Sequence, residues 1–307
     1  IGAASSGVSL TVIDKITSNG VVQFSPANTA PVLTTYEDNG LYFRNSPSDV
    51  LQGAVIAAQA IDAGVTNMAV IARQDPYGEG LAIATVKDFT AAGGTITSDI
   101  LYDPAAPSFE AEVAEIKAGA PDAVTVIGFE ESVKLVQEMI KQGVGPGDIQ
   151  LYLVDGNLST EAFKDFPKGT MKGTVGTVPS GSEDLTAFYD RMQAFDPALT
   201  DYSYGPQSYD ATMVIALAAQ QAGCADGVAI AAALGDVAGN GGEACSAYAD
   251  CLALIDAGTD IDYMGVTGGV DFNEFGDLLE GTISINEYTS NTEFGEIGSI
   301  TAVVPLP

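Results

Sequence analysis

The 307-residue chain has no histidine, no tryptophan, three cysteines, and eleven lysines and arginines against 41 aspartates and glutamates. Without histidine, Ser-His and Cys-His nucleophilic machinery is excluded, and no group of side chains has metal-ligand spacing, so no cofactor or metal is expected. A formal charge of −30 repels phosphate backbones, so no nucleic-acid partner is expected, and an anionic membrane surface is disfavoured alike. No apolar stretch approaches the ~18 uninterrupted residues of a spanning helix. The charge suits a highly soluble protein working outside the cytoplasm or in salt. The first residues, IGAASSG, carry neither an initiator methionine nor a signal peptide. The expectation is a fragment or processed chain whose signal or lipid-anchor segment is not visible.

The composition is globular, 46% hydrophobic and 17% charged, and the length suffices for two domains. Cys245 and Cys251 lie close enough in GNGGEACSAYADCLAL to close a small loop. A Cys-x5-Cys pair without histidine is a poor zinc site, so a disulfide formed in an oxidising compartment is expected, with Cys224 left unpaired.

From residue 48 the pattern alternates. SDVLQGAVIAAQAIDAG reads as a helix capped by Ser48 and closed by Gly64, and NMAVIA as a strand. GLAIATVKDFTAAGG, SFEAEVAEIKAG and ESVKLVQEMIKQG read as helices, separated by the extended TITSDILY, AVTVIG and IQLYLVD. Such alternation means βαβ units and a parallel sheet. Residues 173–185 have the Gly/Pro/Ser texture of a crossing between domains. Beyond them EDLTAFYDRMQAF, YDATMVIALAAQQAG and DGVAIAAALGDVAG read as helices, and DFNEFGD, GTISINEYT and SITAVVP as extended pieces.

In open parallel sheets, ligands bind beyond the carboxyl ends of the strands, where loops converge and helix N-termini point their amides outward. The strand VVQFS leads to the loop carrying Ala27 and Thr29, and NMAVIA leads to RQDPYGEG with Tyr77. AVTVIG leads to Phe129, Glu130 and Glu131, and IQLYLV to Asp155, Gly156 and Asn157. A hydroxyl, a phenol, an aromatic face and a carboxylate suit a small zwitterion, whose ammonium wants a carboxylate and whose carboxylate wants hydroxyls and amides.

The succession ASSG, FSPANTAP, DPYGEG, IGFEES and LVDGN resembles the substrate-binding proteins of branched-chain amino-acid ABC transporters, which are type I periplasmic binding proteins. The resemblance implies two doubly wound parallel-sheet lobes of an α/β fold, joined by a three-segment hinge that closes over a ligand. It implies a first lobe of residues 1–47 and 180–280 and a second of 48–179 and 281–307. Since the family's first lobe begins with three βα units ahead of the ASSG loop, the first lobe is expected to be incomplete here. Residue by residue, Ser6 and Thr29 match the ligand-carboxylate positions, and Ala27 the residue whose carbonyl receives the ammonium. Tyr77 matches a tyrosine that meets the ligand on closure. Phe129 stands where the family example has a tyrosine, and Asp155 where a glutamate pairs with the ammonium. Tyr204 aligns with an aromatic of the side-chain pocket. The implied protein is a monomeric extracytoplasmic solute-binding protein, not an enzyme, that captures an amino acid or close analogue and hands it to a membrane permease. A ligand-sensing domain of the same fold without transport is the alternative, and a carboxylate-dependent hydrolase a distant one.

Taken without the resemblance, several of these residues have ordinary structural explanations. Ser5 and Ser6 can be a helix N-cap, Asp155-Gly156 a turn, and Tyr77 a loop anchor. Glu130 and Glu131 read as the acidic first turn of a helix. DFNEFGDLLEGT mimics a calcium loop through Asp271, Asn273 and Gly276, but Phe275 and Thr282 occupy ligand positions, so a hairpin turn is expected. The charge itself is testable. Adding salt shortens the screening length from ~30 Å at 0.01 M to ~3 Å at 1 M, so self-repulsion weakens and the thermal midpoint should climb across that range. A midpoint that stays level or falls would show that the excess charge does not strain the native state.

Overall fold

The computed structural model describes residues 1–307 apart from 182, 183 and 240. Ser182 and Glu183, from the expected crossing and the start of the expected helix 183–195, lie outside the described residues. The chain opens with α1 (Ser6–Thr17), β1 (Gln23–Ser25) and β2 (Tyr42–Arg44). An alternating run follows: α2 (Asp49–Asp62), β3 (Asn67–Arg73), α3 (Pro76–Ala91), β4 (Thr95–Tyr102), α4 (Glu110–Gly119), β5 (Ala123–Ile127), α5 (Ser132–Gln142), β6 (Gln150–Val154) and β7 (Val175–Ser180). Next come α6 (Thr186–Phe195), α7 (Gly205–Ala222), α8 (Gly227–Val237), β8 (Glu243–Cys245), α9 (Tyr248–Asp256), β9 (Ile261–Gly265) and β10 (Gly268–Gly269). Two long strands, β11 (Glu280–Tyr288) and β12 (Phe294–Val303), close the chain.

Two compact units result, residues 1–48, 180–282 and 301–307 in one, and 49–179 with 283–300 in the other. The chain passes from one to the other four times rather than three, and residues 301–307 group with the first unit, where the sequence reading had them in the second.

The second unit is built on a sheet of strand order β12-β11-β7-β6-β5-β3-β4. The pairs β4–β3, β3–β5, β5–β6 and β6–β7 are all parallel. Helices cover both faces, which is why Met68 to Ala72 form a continuous apolar run with no exposed surface. Helix α2 crosses α3 at Gly53, where an added Cβ would stand 2.6 Å from the Cβ of Ala84. Helix α3 starts as DPYGEG suggests: Asp75 is the N-cap and its carboxylate accepts from the Gly78 amide at 2.8 Å, with Pro76 in the first turn. Gly78 has no room for a side chain, because a Cβ would lie 2.1 Å from the Arg73 carbonyl oxygen.

In the first unit β1 and β2 pair in parallel, and β10-β9-β8 form a separate small sheet. A core of Phe24, Phe43, Val214, Leu217, Leu234, Val237 and Tyr263 ties the strands to α7 and α8. On α7, the buried Asp210 carboxylate accepts from the Tyr263 hydroxyl, the amides of Val266 and Thr267, and the Thr267 hydroxyl, at 2.6 to 2.9 Å. Phe272 bridges Leu278 in an antiparallel turn, with the Asn273 amide on the Asp277 carbonyl, which is the hairpin expected of DFNEFGD. The short β8–β10 sheet and α9 had no counterpart in the sequence reading.

Cys245 and Cys251 form the expected disulfide, fastening the end of β8 to α9, while Cys224 is a free, exposed thiol. Replacing both bonded cysteines by serine should cost about 2 kcal/mol, the loop-closure value for so short a loop. The expected readout is an earlier midpoint in urea for the variant, and an equal shift for the parent in reductant. Coincident curves would show the bridge to be energetically idle.

Candidate functional site

In the second unit, the parallel sheet brings three of the expected residues together. Tyr77 lies in the first turn of α3, Phe129 two residues past β5, and Asp155 immediately past β6, all at the carboxyl edge of the sheet. The Tyr77 hydroxyl donates to Asp155 Oδ1 at 2.7 Å. Its ring stacks on Phe129 with centroids 5.3 Å apart and planes 7° from parallel. The guanidinium of Arg73 lies over the same Phe129 ring, 3.9 Å from its centroid. Gly156 allows this stack to form: a Cβ there would stand 2.5 Å from the Gly128 carbonyl and 2.7 Å from the Phe129 ring.

Two further side chains belong to this group and were not foreseen. Gln52, from the first turns of α2, donates its amide to Asp155 Oδ1 at 3.1 Å, and also to the carbonyl and hydroxyl of Thr177 in β7. Glu131 is more than an acidic first-turn residue. Its carboxylate accepts from Arg73 at 2.8 Å, from the Tyr102 hydroxyl at 2.9 Å and from the Phe129 amide at 3.2 Å, anchoring the loop that presents Phe129. Burial and the adjacent Glu131 charge push the Tyr102 phenol well above its usual range, so it stays a donor. Glu130 points to solvent.

In the first unit, Ser6, Ala27 and Thr29 also come together. Ser5 stands at the N-cap of α1 without a side-chain cap bond, and Ser6 opens the helix. Ser6 Oγ accepts from the amides of Thr29 and Ala30, both at 3.3 Å, so its single O–H proton is what it can offer a ligand. Its position beside the free amides of a helix N-terminus suits an anion. Ser25 Oγ receives the amides of Ala27 and Asn28, and Asn28 Nδ2 reaches the carbonyls of Ala3 and Ala4. The loop FSPANTAP is therefore shaped from within.

Beneath it, Arg44 donates to the carbonyls of Asn28 and Ala30 and pairs with Asp277 at 2.6 Å, with Thr34 joining the same carboxylate. Arg44 is fully buried and Asp277 2% exposed. Tyr204 heads α7 with a left-handed backbone, φ 57°, unusual for a bulky residue. Its carbonyl accepts from the Ser208 hydroxyl.

Residues 1–291 match the model of the receptor family ligand binding region. The chain belongs to that family. It is 29% identical over 242 residues to Leu/Ile/Val-binding protein homolog 1 of Brucella abortus, covering 76% of this chain and 62% of that protein. It is 28% identical over 280 residues to the chemotactic signal transduction system substrate-binding protein BasB of Halobacterium salinarum, covering 88% and 65%. The chain thus spans less than two thirds of the length of these curated relatives. Among solved structures it resembles the leucine-binding protein LivK of Thermotoga maritima, with a TM-score of 0.79, 19% identity, and 97% and 78% coverage. It also resembles an ABC-transporter solute-binding protein of Rhodopseudomonas palustris in complex with 3,4-dihydroxybenzoic acid, with a TM-score of 0.75, 17% identity, and 98% and 77% coverage. The fold is that of the type I periplasmic binding proteins, and the family and its neighbours are binding proteins rather than enzymes.

Removing one member of a buried ion pair leaves the other uncompensated, at ~3–5 kcal/mol. Arg44→Met should destabilise the protein by that amount in urea unfolding. A loss under about 1 kcal/mol would mean that the pair beneath the FSPANTAP loop is dispensable.

Proposed function

We propose that the chain is an extracytoplasmic solute-binding protein that captures an amino acid or close analogue for delivery to an ABC importer. The observation that carries this reading is the carboxylate of Asp155, gripped by the phenol of Tyr77 at 2.7 Å and the amide of Gln52 at 3.1 Å at the carboxyl edge of a parallel sheet. These donors orient the carboxylate, and an ammonium is a ligand group that complements a carboxylate.

Taken by itself, the first unit offers the hydroxyls of Ser6 and Thr29 and the amides opening α1, donors of the kind a carboxylate takes, and the carbonyl of Ala27, an acceptor of the kind an ammonium takes. Tyr204 and Phe129 contribute aromatic surface. Phe129 lacks the hydroxyl of a tyrosine and already lies against Tyr77 and Arg73, so its part is to hold Tyr77 in place. The disulfide fits an oxidising compartment.

Two other readings have specific support. Plain aromatic acids, like the dihydroxybenzoate bound to the R. palustris neighbour, offer no ammonium, and Asp155 weighs against them. Sensing without transport is supported by the name of the Halobacterium relative, and differs in the partner rather than in the ligand.

The test is a thermal shift against amino acids, their des-amino analogues and benzoates, for the parent and for Asp155→Ala. Amino acids should raise the midpoint of the parent saturably, since binding only the native state stabilises it. Asp155→Ala should weaken that binding by at least about a hundredfold, or ~3 kcal/mol. Equal affinity in both proteins would remove Asp155 from the site, and a response to benzoates alone would replace the amino-acid reading.

A further inference from the structure

We infer that a cleft in the first unit, walled by Tyr36, Phe272 and Phe275 around the Asp38 carboxylate, is a binding site for a small alkylammonium ion. The inference is independent of the amino-acid reading above, which assigns no role to these four residues. The cleft has a volume of about 420 Å³, within the roughly 300–1,000 Å³ of small-molecule sites. Three segments enclose it: residues 34–43 leading into β2, the helix α8, and the hairpin 272–276. The hairpin is laid onto β2. The Arg44 amide donates to the Gly276 carbonyl at 3.0 Å, and the Phe272 ring meets Phe43 edge to face with centroids 5.5 Å apart. From α8 only Ala231, Ala232 and Gly235 reach the wall. A Cβ added at Gly235 would meet nothing within 4 Å, so the space there is open.

Five of the sixteen lining residues are aromatic, against 8% of the chain, so the wall is not an average sample of the surface. Tyr42 and Phe43 are buried, whereas Tyr36, Phe272 and Phe275 are half-buried and leave ring surface open. Three further lining residues are the carboxylates Glu37, Asp38 and Glu274, and none is basic. Rings attract a cation and cover an alkyl chain, and the carboxylates repel an anionic guest, so the combination suits an organic cation.

In so acidic a chain, carboxylates at the rim mean little, and Glu37 and Glu274 are exposed. Asp38 is different, at 7% exposed. Its Oδ1 accepts the amides of Gly40 and Leu41 at 2.7 and 3.1 Å, and no hydrogen bond of normal geometry among the described residues ends on Oδ2. Burial, and then the nearby Asp277 charge, push this carboxyl up against the pull of the Gly40, Leu41 and Tyr42 amides. A buried carboxylate with one oxygen left over is incompletely compensated, and an ammonium supplies both the donor and the charge it lacks. A metal ion would leave the rings unused, and no group of three metal-ligating side chains occurs among the described residues.

The experiment is isothermal titration of the full chain with hexylammonium chloride, with sodium chloride at equal ionic strength and 1-hexanol as controls. Hexylammonium should bind saturably and at least about tenfold more tightly than hexanol. Asp38→Asn keeps an acceptor for the Gly40 and Leu41 amides and removes the charge, and should weaken binding at least about tenfold. Gly235→Leu projects a side chain into the cleft from a helix position with room for one and should abolish binding; it also serves if Asp38→Asn does not fold. Asp155→Ala should bind hexylammonium as the parent does, which separates this cleft from the sheet edge of the second unit. Heats no larger than those of sodium chloride, or hexanol bound as tightly as the amine, would overturn the inference. So would unchanged affinity in Asp38→Asn or Gly235→Leu, or loss of binding in Asp155→Ala, while the amino-acid reading stands on its own test.

Discussion

Parallel pairing is the constraint from which the rest of the second unit follows. A strand that pairs in parallel with its neighbour must be entered from the same end, so each connection has to return across the sheet, through α3, α4 and α5 between β3 and β6 and through a run of turns between β6 and β7, and these strands finish at one edge. With β3, β5, β6 and β7 adjacent in that register, the residues following them converge without further instruction. Tyr77, Phe129 and Asp155 are far apart in sequence and meet for that reason alone. The local chemistry then refines the meeting: Asp75 and Pro76 start α3 so that Tyr77 leads it, and Gly156 lets Phe129 lie flat.

The first unit solves a related problem by other means. Its parallel pair β1–β2 has three residues in each strand, too little to define a loop by strand geometry. Instead, side chains do the shaping. Asn28 turns back onto the carbonyls of Ala3 and Ala4, Ser25 collects the amides that follow it, and Arg44 supports the carbonyls of Asn28 and Ala30 from below. The small residues between the two prolines are therefore what remains when the loop's own polar groups are satisfied internally and its backbone must stay close to Ser6.

What could be read from the sequence divides along the same line. The alternation of apolar runs with amphipathic segments identified the helices and strands of residues 48–154, and the rule of converging strand ends identified Tyr77, Phe129 and Asp155. Local pattern carries such information because it depends on neighbours in the chain. Gln52 was invisible, since nothing in DVLQGAVIAA distinguishes a glutamine facing a carboxylate 103 positions away from one facing water. Arg44 and Asp277, 233 positions apart, were invisible for the same reason. The sequence context of Glu131 is that of a helix start, which points to a helix-dipole residue, and Arg73 becomes its partner only through the adjacency of β3 and β5. Strands as short as β8 and β10 have too few residues to display a period at all.

The close crossing at Gly53 has a consequence for how such a site can change over evolution. Gln52 and Tyr77 reach the same carboxylate oxygen from two different helices, and those helices touch backbone to side chain where Gly53 meets Ala84. The spacing between the two donors is thus inherited from helix packing rather than chosen at the site. Position 155 can be exchanged for another acceptor while the donors keep their aim, so this corner of the sheet edge can change one residue at a time without rebuilding the frame.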